Sequence, residues 1–230
     1  MTLDEKIDEI MMMVDNAPEK TSEYDFHRTY FSKVLPKVQI DGMWTEFGVY
    51  RGRSIKTIST YASKKNAIVY GFDSFEGLPE FWDKDNPKGC YGLAGKIPDG
   101  IIDDRFPDAD TGMFNSGPTR RMLPWPSNVK LVKGLFEDTL DGFLNEHKDT
   151  VAYVHIDSDI YSAAKTVLTK LKDRIVVGTV LDFDEICDYP DYRNHEIKAF
   201  AEYLLDTNRK VSPICSQRLG YSQCSFIVTE

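Results

Sequence analysis

Residues 43–72 read MWTEFGVYRGRSIKTISTYASKKNAIVYGF. The apolar run at 43–47 is typical of a buried strand, and residues 54–63 carry apolar side chains at helical spacing. A second apolar run, at 67–72, predicts another strand. A strand, a helix and a strand in this order form a right-handed crossover unit. The stretch therefore predicts a parallel α/β core.

The same alternation continues toward the end of the chain. Apolar runs and helical patterns predict strands at 129–133, 151–156 and 175–181, and helices at 136–146, 161–171 and 196–206. Alternating elements of this kind form a parallel sheet covered by helices on both faces, which makes three layers. Two closing strands, 211–214 and 222–228, are too close for a helical crossover, so one of them should run antiparallel.

Two regions lie outside this alternation, although the length favours a single domain over residues 1–230. An N-terminal helical segment, residues 1–40, carries predicted helices at 3–15 and 24–36. Residues 78–128 form a proline-rich and glycine-rich insertion, and long insertions in compact domains are often functional. Aromatic residues recur through it, so an ordered lid or an acceptor-binding loop is favoured over a decorative or partly disordered loop.

Composition excludes several classes of function. The chain has 28 Lys+Arg against 37 Asp+Glu, a net charge of −9, which argues against a broad nucleic-acid-binding surface. No run approaches the roughly 18 apolar residues of a membrane span, and the N-terminus lacks the layout of a signal peptide. The four cysteines are scattered, as in reduced cytosolic proteins. We therefore expect a cytoplasmic protein that binds neither nucleic acid nor membrane.

A first group of residues indicates a nucleoside ligand. Gly48 and Gly52 lie between the first strand and its helix, where a tight turn and free helix N–H groups suit a carboxylate or phosphate. Asp73 follows the next strand and is placed to accept both hydroxyls of a ribose. The alternatives are a plain strand–helix turn and a surface acid. The Gly-x-x-x-Gly spacing also differs from the G-x-G-x-x-G of dinucleotide sites.

A second group consists of acids at the ends of two later strands. Asp157 and Asp159 follow one strand, and Asp184 and Glu185 follow the next. Neighbouring parallel strands would bring these carboxylates together, and a divalent cation would offset their repulsion. Oxygen ligands suit Mg²⁺, Ca²⁺ or Mn²⁺ better than zinc. The alternative is that Asp159 only caps a helix and no metal binds.

Two histidines are candidates for a catalytic base. His155 lies two residues before Asp157 on the same strand and so shares its face. His195 lies at a helix start just after the second pair of acids, where it could act as a general base. A buried core role for His155 and a helix-start role for His195 are the alternatives.

Taken together, these residues resemble the macrocin O-methyltransferase family, a branch of the class I S-adenosylmethionine-dependent methyltransferases. The resemblance runs from about Trp44 to Leu205. Four motifs carry it: EFGVYRGRS at 46–54, GFDSFEGLP at 71–79, KGLFEDTL at 133–140 and HIDSDIYS at 155–162. The stretch 78–128 has no counterpart, so the resemblance does not identify the acceptor.

The resemblance implies a Rossmann-like fold with a seven-stranded mixed sheet, S-adenosyl-L-methionine as the donor and a divalent metal, usually Mg²⁺. It places the donor on the first two motifs: Glu46, Gly48 and Gly52 at the methionine end, with Tyr50 and Ser54 in the same motif, Asp73 at the ribose and Ser74 at the adenosine face. It makes Asp157, Asp184 and Glu185 the metal ligands, with Asp157 also next to the donor and important for turnover.

The predicted function is metal-assisted O-methylation of a hydroxyl on a sugar or another small-molecule natural product. One alternative is an NAD(P)-binding oxidoreductase, which shares the parallel sheet and the ribose-binding acid. Another is a non-catalytic subunit that binds S-adenosylmethionine. The sequence leaves open whether the chain forms a homo-oligomer.

Overall fold

The computed structural model describes residues 1–21, 28–103 and 121–230. Six α-helices lie in these ranges: α1 (Leu3–Asp15), α2 (Arg28–Val34), α3 (Arg53–Ser63), α4 (Phe136–Glu146), α5 (Tyr161–Leu171) and α6 (Glu196–Thr207). Ten strands accompany them: β1 (Glu19–Thr21), β2 (Met43–Phe47), β3 (Val69–Asp73), β4 (Ile101–Asp103), β5 (Arg121–Leu123), β6 (Val129–Lys133), β7 (Val151–Ile156), β8 (Ile175–Cys187), β9 (Val211–Gln217) and β10 (Ser222–Val228).

One sheet organises the domain, in the order β1-β9-β10-β8-β7-β2-β3-β6. Strands β6, β3, β2, β7 and β8 are parallel, and β10 is antiparallel to both of its neighbours. This confirms the predicted mixed α/β fold with an antiparallel C-terminal strand. Among the described residues, this sheet has eight strands rather than the seven implied by the resemblance, because the short strand β1 pairs with the edge of β9.

Helices cover both faces of the sheet, which gives the predicted three layers. Helices α1, α4, α5 and α6 pack on one face through a large apolar cluster. Helices α2 and α3 pack on the other face through a second cluster. Helix α1 begins with a capping box in which Thr2 and Glu5 exchange hydrogen bonds, and its buried residues Ile7, Ile10 and Val14 belong to the first cluster.

Several predicted boundaries differ from the observed ones. Helix α2 ends at Val34 and is followed by a short 3-10 helix, Leu35–Lys37, which contains a proline. Residues 24–27 of the predicted helix lie outside the described ranges. Strand β8 runs to Cys187 rather than residue 181, because its polar end remains paired with β10. The acidic residues that marked the predicted end of this strand therefore lie within it.

The described part of the 78–128 insertion is anchored to the domain. The Leu93 backbone N–H donates to the Phe75 carbonyl at 2.8 Å, and the Ile102 backbone N–H donates to the Arg51 carbonyl at 3.0 Å. Within the insertion, the Trp125 indole donates to the Pro98 carbonyl at 2.9 Å. Strands β4 and β5 pair as a separate two-stranded sheet. Residues 104–120 of the predicted lid lie outside the described ranges, so the domain division remains a prediction. None of the described helices has the length and apolar character needed to cross a membrane.

Candidate active site

A cavity of about 590 Å³ opens at the carboxyl ends of β2, β3, β7 and β8. This is the edge of a parallel sheet where ligands bind in open α/β folds. The wall combines both groups of residues singled out by the sequence with the hairpin between β9 and β10: Gly48, Tyr50, Ser54, Asp73, Ser74, Asp157, Asp159, Asp184, Glu185, Gln217, Leu219, Tyr221 and Gln223 all line it.

Gly48 brings the first turn into direct contact with β7. Its φ is +96°, and an added Cβ would lie 1.7 Å from the carbonyl oxygen of Asp157. The Asp157 backbone N–H donates to the Phe47 carbonyl at 2.9 Å. Only glycine allows this approach, because any side chain would overlap the neighbouring backbone. The turn after β2 and the acid after β7 therefore share one wall.

Gly52 has a different role from the one expected. It is the N-cap of α3 with φ +80°, but an added Cβ would meet the ring of Trp125 at 2.6 Å and the side chain of Ile101 at 3.1 Å. The close approach that Gly52 permits is thus that of the 78–128 insertion, and Gly52 is outside the cavity lining. Ser54, two residues later, lines the cavity.

Asp73 connects the loops that follow β2 and β3. Its Oδ2 accepts the backbone N–H groups of Val49 at 2.8 Å and Tyr50 at 2.7 Å, and its Oδ1 accepts that of Phe75 at 2.6 Å. A carboxylate can accept about four hydrogen bonds, so Asp73 keeps capacity for a ligand hydroxyl. Ser74 lies beside it on the cavity wall.

The predicted acidic cluster is present. Asp157, Asp184 and Glu185 each place one carboxylate oxygen within 4.8 Å of the other two. Burial, together with the charge of Asp184, raises the pKa of Asp157 and of Glu185 well above their usual range. The same two causes raise the pKa of Asp159 to about 7. Gathering these carboxylates is unfavourable without a counter-charge.

His155 does not reach the cavity. Its ring is buried between the sheet and α2, and its Nδ1 donates to Glu46 Oε1 at 2.9 Å. Burial lowers its pKa, but the hydrogen bond and the charge of Glu46 outweigh burial and raise the pKa to about 10. His155 is not among the residues that line the cavity, so its position gives no support to the prediction that it is the catalytic base. Its Nε2 lies 3.9 Å from Asp184 Oδ1, behind the acidic cluster.

Glu46 is likewise beneath the site rather than in it. The residue is fully buried, and it pairs with His155 instead of lining the cavity as the resemblance implied. Asp182 lies across from His155 in the next strand and accepts the hydroxyls of Tyr30 and Tyr153, each at 2.6 Å. These residues form a buried polar layer that supports the strand ends from the α2 side.

His195 also lies away from the described lining. It is the half-buried N-cap residue of α6, and its ring packs against Tyr189 with centroids 5.9 Å apart. Burial lowers its pKa. Its position therefore gives no support to the prediction that His195 is the catalytic base.

Residues that the sequence did not single out complete the wall. Tyr221 stacks on Tyr189, with ring centroids 5.2 Å apart and planes within 6°, and it donates a hydrogen bond to Asp83 at 3.3 Å. Trp82 packs edge-on against both tyrosines. The sequence predicted two closing strands, but no pattern indicated that the residues between them would line the cavity.

Comparison with known proteins agrees with this geometry. A family model described as a methyltransferase domain matches residues 45–186, more than half of the chain, so the chain belongs to this family of methyltransferase domains. No curated protein sequence matches the chain.

Solved structures share the fold. The calicheamicin methyltransferase CalS11 aligns over 97% of this chain and 91% of its own, with a TM-score of 0.59 and 20% identity. The O-methyltransferase NovP aligns over 99% and 98%, with a TM-score of 0.56 and 19% identity. An O-methyltransferase from Bacillus cereus, in complex with SAH, aligns over 98% and 91%, with a TM-score of 0.55 and 13% identity.

Proposed function

We propose that this protein is an S-adenosylmethionine-dependent O-methyltransferase that acts on a hydroxyl of a small molecule with the help of a divalent cation. One observation carries the proposal: the glycine turn, Asp73 and the acidic cluster line a single cavity at the carboxyl edge of the sheet. A donor and an acceptor oxygen can therefore meet beside the acids.

The donor fits the side of the cavity next to β2 and β3. Gly48, Tyr50 and Ser54 line this side, and Ser54 lies in the first turn of α3, where the positive end of the helix dipole favours a negatively charged group. Asp73 has its carboxylate fixed by backbone N–H groups, so it is held ready for a ribose hydroxyl. When bound, S-adenosylmethionine supplies an activated methyl group. Gly48, Asp73 and their neighbours would fix its orientation.

The acidic cluster fits a hard divalent cation such as Mg²⁺. All three candidate ligands, Asp157, Asp184 and Glu185, offer carboxylate oxygens. Glu185 Oε2 is buried and has no hydrogen-bond partner among the described residues, as a ligand atom would be. A bound cation would lower the pKa of an acceptor hydroxyl and relieve the repulsion among these acids.

Asp159 is the acid that we propose as the proton acceptor. Neither His155 nor His195 lines the cavity. Asp159 does line it, next to the acidic cluster, and its carboxylate is not one of the three proposed metal ligands. Its backbone is fixed in a left-handed turn with φ +65°. The carboxylate would receive the proton of the acceptor hydroxyl while the cavity wall holds the oxygen in line with the methyl group.

The acceptor side of the cavity favours a ring-shaped molecule with hydroxyl groups. Tyr221 and Leu219 contribute apolar surface there, and the amide side chains of Gln217 and Gln223 contribute neutral hydrogen-bonding groups. One similar structure is described as a TDP-rhamnose 3'-O-methyltransferase, which supports a sugar hydroxyl as the acceptor class.

The proposal is tested first by binding. We expect calorimetric titration to show that S-adenosylhomocysteine binds the wild-type protein and that NADH does not. Tighter binding of NADH than of S-adenosylhomocysteine would contradict the proposal and favour the oxidoreductase.

A methyl-acceptor screen over sugars and vicinal diols then tests the chemistry. We expect EDTA and the substitution Asp184→Asn each to abolish transfer, and Mg²⁺ to restore the EDTA-treated wild type. Asp141→Asn removes an acid from the exposed surface of α4 and should leave the rate unchanged. Asp159→Asn should lower kcat while affinity for S-adenosylhomocysteine is retained. Full activity in EDTA would remove the cation from the proposal.

A further inference from the structure

The turn that carries Asp157 and Asp159 is held by a single buried carboxylate from α6. Glu196 Oε1 accepts the backbone N–H of Ser158 at 3.1 Å, the Ser158 hydroxyl at 3.2 Å and the backbone N–H of Asp159 at 3.2 Å. Glu196 is fully buried and is the first residue of α6. It does not line the cavity, so its contacts are with the turn rather than with a ligand.

This turn has a conformation that needs such support. Asp159 has φ +65°, a left-handed conformation that is unfavourable for a residue with a side chain. The Ile160 backbone N–H donates to the Ser158 carbonyl at 2.7 Å, which closes the turn tightly. Without Glu196, two buried backbone N–H groups and a hydroxyl would lose their acceptor, a loss that favours rearrangement of the turn. Rearrangement would move the carboxylates of Asp157 and Asp159 together.

We propose that Glu196 is a positioning residue for methyl transfer, which holds the Ser158–Asp159 turn in place. The Asp157 carboxylate then faces the other two proposed metal ligands, and the Asp159 carboxylate faces the acceptor. The inference rests on the proposed function of the cavity. The positioning effect comes from the hydrogen bonds that Oε1 accepts. It therefore depends on the length of the side chain rather than on its charge.

Two substitutions of Glu196 distinguish an effect of side-chain length from an effect of side-chain charge. Glu196→Gln keeps an oxygen at the same position and removes the ionisable group. Glu196→Asp keeps the carboxylate and withdraws it by one methylene, so it no longer spans the distance to both N–H groups. Glu202→Ala is the matched control on the same helix, because Glu202 contacts Lys165 and Tyr161 at the surface and not the turn.

The experiment titrates Mn²⁺ into the wild type and the three variants and follows binding by electron paramagnetic resonance. Titration with S-adenosylhomocysteine and thermal unfolding accompany it. Loss of a residue that orients a metal ligand weakens metal binding about 10- to 100-fold. We expect E196D to bind Mn²⁺ about tenfold more weakly or worse, and E196Q and E202A to remain within about threefold of the wild type. S-adenosylhomocysteine affinity should change little, and kcat should fall in E196D alone.

The outcomes are distinct from those of the proposed function. The inference is overturned if E196D folds and binds Mn²⁺ as tightly as the wild type does. It is also overturned if E196Q folds and loses affinity for Mn²⁺ while E196D keeps it. If E196D does not fold, the test depends on E196Q. Mn²⁺ affinity of E196Q close to that of the wild type supports the inference, and a tenfold loss of this affinity overturns it. Wild type that fails to bind S-adenosylhomocysteine contradicts the proposed function instead. Wild type that binds this nucleoside but no Mn²⁺ overturns both the metal-ligand set and the role of Glu196.

Discussion

The substitution Gly48→Ala tests whether the first turn and the acidic cluster form one site. An alanine Cβ at this position would lie 1.7 Å from the Asp157 carbonyl oxygen, whereas ordinary contact begins at 3.4 Å. The backbone of one of the two loops must therefore move by about 1.7 Å. A displacement of about 1 Å at a reacting centre can lower a rate about 100-fold. We expect G48A to lose at least that much methyl-transfer activity, with affinity for S-adenosylhomocysteine falling as well.

The same contact predicts the loss of stability. Overpacking in a tight contact costs about 1–3 kcal/mol, and a left-handed alanine adds about 1–2 kcal/mol, so we expect G48A to lose about 3 kcal/mol in free energy of unfolding. Urea denaturation followed by circular dichroism measures this value, and a radiometric methyl-transfer assay measures the rate.

Two other glycines provide matched controls. Gly89 has φ +86° but open space around an added Cβ, so G89A should lose about 1–2 kcal/mol from backbone strain alone and keep its activity. Gly142 is exposed in the interior of α4 with nothing within 4 Å, so G142A should gain about 0.5–1 kcal/mol. If G48A matched G89A in stability and activity, the contact between Gly48 and Asp157 would not matter and the reasoning would be refuted.

Three further predictions concern the layers around the site. His155 has a folded pKa of about 10 against an ordinary 6.5, so its ionisation adds stability that is fully present below pH 6.5 and is lost as the pH rises through 10. In EDTA, the stability difference between wild type and H155Q should therefore shrink from pH 6.5 to 10; a constant difference would contradict this charge. Y30F removes a buried hydrogen bond to the Asp182 carboxylate and should lose about 1.5–3 kcal/mol in urea denaturation, whereas Y61F on the surface of α3 should lose less than about 0.5 kcal/mol. D73N replaces one hydrogen-bond acceptor oxygen by an amide group that faces backbone N–H groups. Calorimetry should show that this variant binds S-adenosylhomocysteine at least about tenfold more weakly. Unchanged affinity would exclude Asp73 from the site that binds the methyl donor.

Most of the fold could be predicted because its elements follow simple periodicities. Strands β2, β6 and β7 and helices α4 and α5 have the predicted bounds, since each is an uninterrupted apolar run or a clear helical pattern between turn residues. Strand β8 was predicted too short, because acids interrupt the apolar run at its end: Asp184 and Glu185 line the cavity, while Phe183 and Ile186 belong to the core. Strand β1 carries only three residues and owes its conformation to pairing with β9.

The site could be predicted for those residues whose positions follow from the ends of parallel strands. Asp73, Asp157 and Asp184 reach one cavity because parallel strands end at one edge, which the order of elements implies. The positions of the two histidines relative to the cavity were not predictable, because a sequence does not show how deeply a side chain is buried. His155 shares a face with the polar layer under the site, and its partner Glu46 is 109 residues away along the chain. Glu196 was overlooked because its function depends on how α6 meets the turn after β7.

The most direct test of the central claim asks whether donor and cation occupy the same cavity. S-adenosylmethionine labelled with ¹³C at its transferable methyl group is observed by NMR while Mn²⁺ is added to the protein. We predict strong broadening of the methyl signal in the wild type and none in D184N, with donor affinity similar in both. A sharp methyl signal in wild type that binds both Mn²⁺ and donor would contradict the account.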